Sequence, residues 1–124
     1  MRSERLTRLW DSAKHELQKH WEASRREDLG EQVCAAQNAV TDVLEDYFDV
    51  LRILPSTAND NTILGAMREM LNRLNEINSE LNYHLIESDE RKLIVPLAIQ
   101  AAEIAGLDPG RYPDRDPTQA FRTF

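Results

Sequence analysis

Asp42, Glu45, Asp46 and Asp49 stand at i, i+3, i+4 and i+7, a spacing that places four carboxylates on one face of a helix. Like charges so arranged repel by about 0.2–0.5 kcal/mol per pair, so the stripe slightly disfavours the helix that carries it. A docking role, in which Lys or Arg of a partner answers these carboxylates, would account for it. The plainer reading is a solvated face that keeps the chain in solution.

Helical bundles also hold metals, and the histidines bear on that chemistry. A carboxylate-bridged di-iron site needs Glu-x-x-His on two helices. Here Glu16 precedes His20 by four positions, as Glu80 precedes His84, so neither pair has that register. His15 and His20 are five apart, roughly 140° around a helix, and cannot share an ion. No Cys/His spacing of the zinc type occurs, so neither a metal nor a cofactor is expected. The two Glu-x-x-x-His pairs nevertheless keep an alternative open: a small ligand- or metal-binding protein, or an enzyme, with a site between helices built from Glu16, His20, Glu80 and His84.

Nucleophilic chemistry has little to work with. Cys34 lies beside Ala35 and Ala36 with no histidine near it in sequence, and a lone thiol so placed behaves as a small core hydrophobe. The four glycines, at 30, 65, 106 and 110, form no phosphate-binding loop. No catalytic residue is predicted. A second stripe is aromatic: Trp10, Leu17 and Trp21 recur on one helical face, with Leu6 and Ala13. It covers the edge of a core or forms a self-association surface, since aromatic anchors dominate many interfaces. The second option would make the protein a homodimer, or a purely structural dimer.

Four helical segments position these residues. The first spans Ser3 to Asp28, with Leu29-Gly30 as its stop. The second runs from Glu31 to Leu54, its seam formed by Val33, Val40, Leu44, Tyr47, Leu51 and Leu54 and widened by Ala36, Val43, Phe48 and Val50. It ends at Pro55, which disfavours helical geometry in the residue before it. Residues 55–61 read as a loop. The third segment begins near Thr62, capped by Asp60 or Asn61, and buries Ile63, Met67, Met70, Leu71, Leu74, Ile77 and Leu81. Asparagines 72, 75 and 82 occupy another face, and the helix frays near Asn82. Residues 83–87 are open between helix and connector. The fourth starts at Ser88-Asp89-Glu90 and reaches Ala105, with Gly106 as its cap and a kink at Pro96. Asp116-Pro117 suggests a short final helix, from which Phe121 and Phe124 would pack back. In the tail, Arg111, Arg115 and Arg122 balance Asp108, Asp114 and Asp116, so it pairs locally or docks on the acidic helices.

The expected fold is all-α: an antiparallel bundle of about four helices in a single domain, 1–124. Residues 1–29 form a long first helix that could serve as an arm, and 107–124 a docked tail. The size, 124 residues with 41% hydrophobic and 30% charged, suits one domain with a heavily charged exterior.

The net charge is −7, unfavourable for phosphate backbones. Residues 1–28 hold seven Lys/Arg against six Asp/Glu, and residues 29–87 three against ten, which favours a partner protein with a basic surface over nucleic acid. No apolar run is long enough for a membrane span. The opening MRSERLTRLW lacks the apolar run of a signal peptide, and the single cysteine fits a reducing compartment, so a cytoplasmic location is expected. The stretch LIESDERKLIVPLAIQAAEIAG resembles C-terminal stretches of small bacterial proteins, a likeness that carries no functional residue. Taken together, the residues predict a non-catalytic interaction module of the immunity, antitoxin or adaptor kind.

Overall fold

A computed structural model describes residues 2–24 and 30–124. They form four α-helices and no strand: α1 (Arg2–Ser24), α2 (Glu31–Ile53), α3 (Asp60–Glu80) and α4 (Ser88–Ala105), followed by 3-10 turns at Pro109–Arg111 and Pro113–Arg115. The predicted end of the first helix near Asp28 lies outside the described residues. α2 packs on α1, α3 and α4, and α4 on all three others. α1 and α3 therefore take diagonal corners of a bundle. One continuous core joins Leu6, Trp10, Leu17 and Trp21 of α1 to Val40, Leu44, Phe48 and Leu51 of α2, Met67, Leu71 and Leu74 of α3, and Ile94, Ala98 and Ala101 of α4.

The helix ends follow local chemistry. Leu54 is already extended (ψ 139°), as the following proline requires. The cap of α3 is Asn59, whose Oδ1 accepts from Thr62 N at 2.9 Å, and not Asp60 or Asn61. An asparagine there satisfies a first-turn N–H that Asp60, one residue into the helix, is no longer placed to reach. Gly106 closes α4 at φ 121°, a conformation that a Cβ would strain. α4 continues through Pro96 as one helix, although the proline brings no N–H to the Lys92 carbonyl.

Residues 83–87 are a connector. Asn82 and Tyr83 take positive φ, 56° and 64°, which turns the chain out of α3, and Tyr83 N donates back to the Asn78 carbonyl at 2.9 Å. The Asn78 side chain, 1% exposed, accepts from Leu85 N at 3.2 Å and Ile86 N at 2.8 Å. Those bonds let Leu85 and Ile86 enter the core. At N3 of α4, Glu90 Oε1 accepts from Glu87 N at 2.9 Å, half of a capping box.

The expected final helix is replaced by turns over residues 117–121. Pro109 and Pro113 each open a short turn, the second with Asp114 and Arg115 at φ 56°, and Asp116 uses its side chain on Thr118 N at 2.9 Å and Arg122 Nη2 at 2.9 Å. Burial by itself would raise the pKa of Asp116. The bonds from Thr118 and Arg122, with the nearby Arg122 charge, outweigh it and hold the carboxyl below its ordinary value. Asn75 fixes the tail to α3 by donating to Phe121 O at 2.8 Å and accepting from Thr123 N at 3.0 Å.

Candidate functional site

The acidic stripe lies on the outer face of α2. Asp42, Asp46 and Asp49 are exposed and Glu45 is half-buried. Three of the four have ion-pair partners within the chain. Glu45 Oε1 is 3.7 Å from Lys14 Nζ and accepts from Trp10 Nε1 at 3.4 Å. Asp46 Oδ2 is 3.0 Å from Arg73 Nη1 on α3, and Asp49 pairs with Arg52 one turn on. Asp42 lines a polar hollow with Lys14, Gln18, Asn38 and Thr41. Glu45 thus faces α1 and Asp46 faces α3, while Asp42 and Asp49 stand between them.

Two apolar side chains share this face. Val50, assigned from the sequence to the buried seam, is 40% exposed, and Ile53 is 81% exposed. Ile53 is eleven residues from Asp42, three helical turns, so it stands in line with that carboxylate. The signal was present in the spacing, but apolar residue type masked it. Beside them a groove of about 210 Å³ runs between α2 and α3. Val43, Tyr47 and Met70 form its buried floor, and Asp46, Glu69 and Arg73 its exposed rim.

Trp10, Leu17 and Trp21 are 2%, 3% and 7% exposed. Trp10 stacks on Phe48 with ring centroids 5.3 Å apart and planes at 27°. Side chains so enclosed offer no face to a second copy. The self-association surface assigned to them is corrected: the stripe is core, drawn inward because α1 packs against both α2 and α4.

Of the alternative site's residues, Glu16 and His20 line one hollow between α1 and α4, and neither Glu80 nor His84 lines it. His20 Nε2 lies 2.5 Å from Glu90 Oε2 and ties the end of α1 to the start of α4. His84 Nδ1 lies 2.9 Å from Glu87 Oε1. Glu16 and Glu80 are exposed on α1 and α3. Among the described residues no three His, Cys, Asp or Glu are grouped to hold a metal ion. Cys34, expected in the core, is half-buried in the first turns of α2. An apolar cleft of about 200 Å³ does open between α1 and α4, lined by Leu9, Ala13, Leu17, Leu93, Pro96 and Leu97.

In comparisons with protein-family models, curated proteins and solved structures, the chain matches none.

Proposed function

We propose that this chain is a non-catalytic helical interaction module that binds a basic protein surface through the outer face of α2. The observation that carries the reading is the exposure of Asp42, Asp46 and Asp49 in a row on one rigid helix. Their internal ion pairs do not close the face. The side chains of Asp46 and Arg73 are 57% and 44% exposed, and pairs in such solvent contact contribute only about 0–1 kcal/mol. A Lys or Arg delivered by a partner competes with them readily. The carboxylates are already presented by a packed helix, so binding orders little backbone.

The net charge of −7 supports a basic protein over a phosphate backbone. No described helix is long and apolar enough to cross a membrane. The lone Cys34 supports a reducing compartment, and the reading places the protein in the cytoplasm, in a role of the immunity, antitoxin or adaptor kind.

The test is affinity capture from the source organism's lysate with the native protein and with an Asp42→Asn/Asp46→Asn/Asp49→Asn variant. Glu45 is left in place because it also accepts from Trp10. The reading expects a basic protein held by the native form and lost with the variant at unchanged helicity. Equal capture by both forms would remove α2 from the interface. A second reading, a small apolar ligand in the α1–α4 cleft, is supported by the apolar lining alone. Spectral shifts of Leu93 and Leu97 methyl groups during a screen of small hydrophobic compounds would favour it.

A further inference from the structure

The α2 face is not purely acidic. Ile53, the last residue of α2, projects 81% exposed about one turn beyond Asp49, with Val50 on its flank at 40%. Single exposed apolar side chains are ordinary on protein surfaces. Here Val50 and Ile53, three residues apart on one helix face, form a short exposed strip, and Val50 also lines the mouth of the α2–α3 groove above the buried Val43, Tyr47 and Met70. Asp42, Asp46 and Asp49 border the strip along α2, and Glu69 borders it on α3. From Asp42 to Ile53 the whole face is about 17 Å long, three helical turns.

Resting on the acidic-face reading above, we propose that this strip receives a single amphipathic helix of a basic partner protein. The partner's apolar residues, at i, i+3 or i+4 and i+7, meet Ile53, Val50 and the mouth of the groove. Its flanking Lys and Arg meet Asp42, Asp46, Asp49 and Glu69. Charge complementarity selects a basic occupant. The groove's shape selects a helix, because two packed helices expose no strand edge for β-addition and a channel between them fits an apolar helical stripe. A second copy of this chain does not supply such a helix. α1 carries more Lys and Arg than α2, α3 or α4, but its apolar stripe of Leu6, Trp10, Leu17 and Trp21 is buried in its own core.

The experiment titrates the protein with two labelled synthetic peptides of about eighteen residues, long enough to span the strip as a helix. Both contain only Leu, Lys and Ala in the same proportions. One arranges Leu as a helical stripe flanked by Lys; the other scrambles the order. Fluorescence polarisation is expected to show the striped peptide binding at least about ten-fold tighter. Ile53→Ser/Val50→Ser should abolish that preference while leaving the weaker, charge-driven binding of the scrambled peptide. Both positions are exposed, so the variant keeps its fold, with circular dichroism as the check. Equal affinity for the two peptides, or a preference that survives Ile53→Ser/Val50→Ser, would overturn the amphipathic-helix inference and leave the acidic-face reading standing. If both peptides bind the Asp42→Asn/Asp46→Asn/Asp49→Asn variant as well as the native protein, the acidic-face reading falls and the inference with it.

Discussion

Asparagine side chains carry much of the chain's specificity, because a carboxamide can stand in for a peptide group where the backbone leaves its regular ladder. Asn59 caps α3, Asn75 pairs with the tail at Phe121 and Thr123, and Asn78 accepts from Leu85 N and Ile86 N. The last case is the most consequential, because Asn78 is 1% exposed and its bonds are shielded from bulk solvent. An unpaired buried N–H costs about 1–3 kcal/mol. Asn78→Ala leaves two such groups but also removes the buried Nδ2, which has no acceptor among the described residues. The expected loss is about 2–4 kcal/mol in urea unfolding, with Leu85 and Ile86 losing amide protection first. A loss below about 0.5 kcal/mol would mean that the connector does not depend on this side chain. Tyr47 makes a second buried polar contact, donating to the Ala98 carbonyl at 2.9 Å. Burial pushes its phenol well above the ordinary value near 10. The neutral form is thus the one that folding favours. Its contribution is complete below pH 10 and is lost as the unfolded phenol ionises above it, at about 1.4 kcal/mol per pH unit. Tyr47→Phe should cost about 1 kcal/mol at neutral pH and flatten the alkaline decline. Parallel alkaline slopes for the two proteins would contradict this assignment.

The elements were legible in the sequence to different degrees, according to whether one periodicity or several forces set them. α2 could be read through its apolar seam and its terminating Pro55, because a long amphipathic pattern and a proline act independently of the rest of the chain. Val50 and Ile53 were not legible as surface residues: apolar type argues for burial, and only their angular distance from Leu44 and Leu51 argued otherwise. The inward turn of Trp10 and Trp21 depended on which helices flank α1, a tertiary fact beyond the reach of spacing. The tail misled in another way, since Asp-Pro with Gln119 behind it imitates a helix start, while Asp116 is engaged by Thr118 and Arg122. Pro96 was read correctly as lying within α4, and its energetic role can be measured. It is exposed and lacks the N–H that would serve the Lys92 carbonyl. Pro96→Ala should therefore stabilise the protein by about 1–2 kcal/mol. This is less than the full helix-interior penalty of about 3 kcal/mol, because proline also restricts the unfolded chain. A destabilised variant would show that the pyrrolidine's contacts in the α1–α4 cleft outweigh the missing bond.

For the molecule as a whole, the question is whether repulsion or pairing governs its acidic side. Net charge is −7, and α2 concentrates Asp42, Glu45, Asp46 and Asp49 within about two turns. Against that repulsion stand the pairs of Glu45 with Lys14, Asp46 with Arg73 and Asp49 with Arg52. All three involve a carboxylate side chain at least 44% exposed, where individual pairs contribute little. Each carboxylate also has like-charged neighbours three or four residues away, and the surplus of negative charge adds to their repulsion. Repulsion therefore wins. Screening it with sodium chloride, as the Debye length falls from about 30 Å to about 8 Å, should raise the free protein's stability by about 0.5 kcal/mol. The same salt should weaken capture of a basic partner, so stability and binding move in opposite directions. Asp42→Asn/Asp46→Asn/Asp49→Asn should then be as stable as the native protein or slightly more so, with a flatter salt response. If native stability instead falls as salt is added, the three ion pairs outweigh the repulsion. The acidic face would then be held by its own chain, and a basic partner would have to break those pairs to bind.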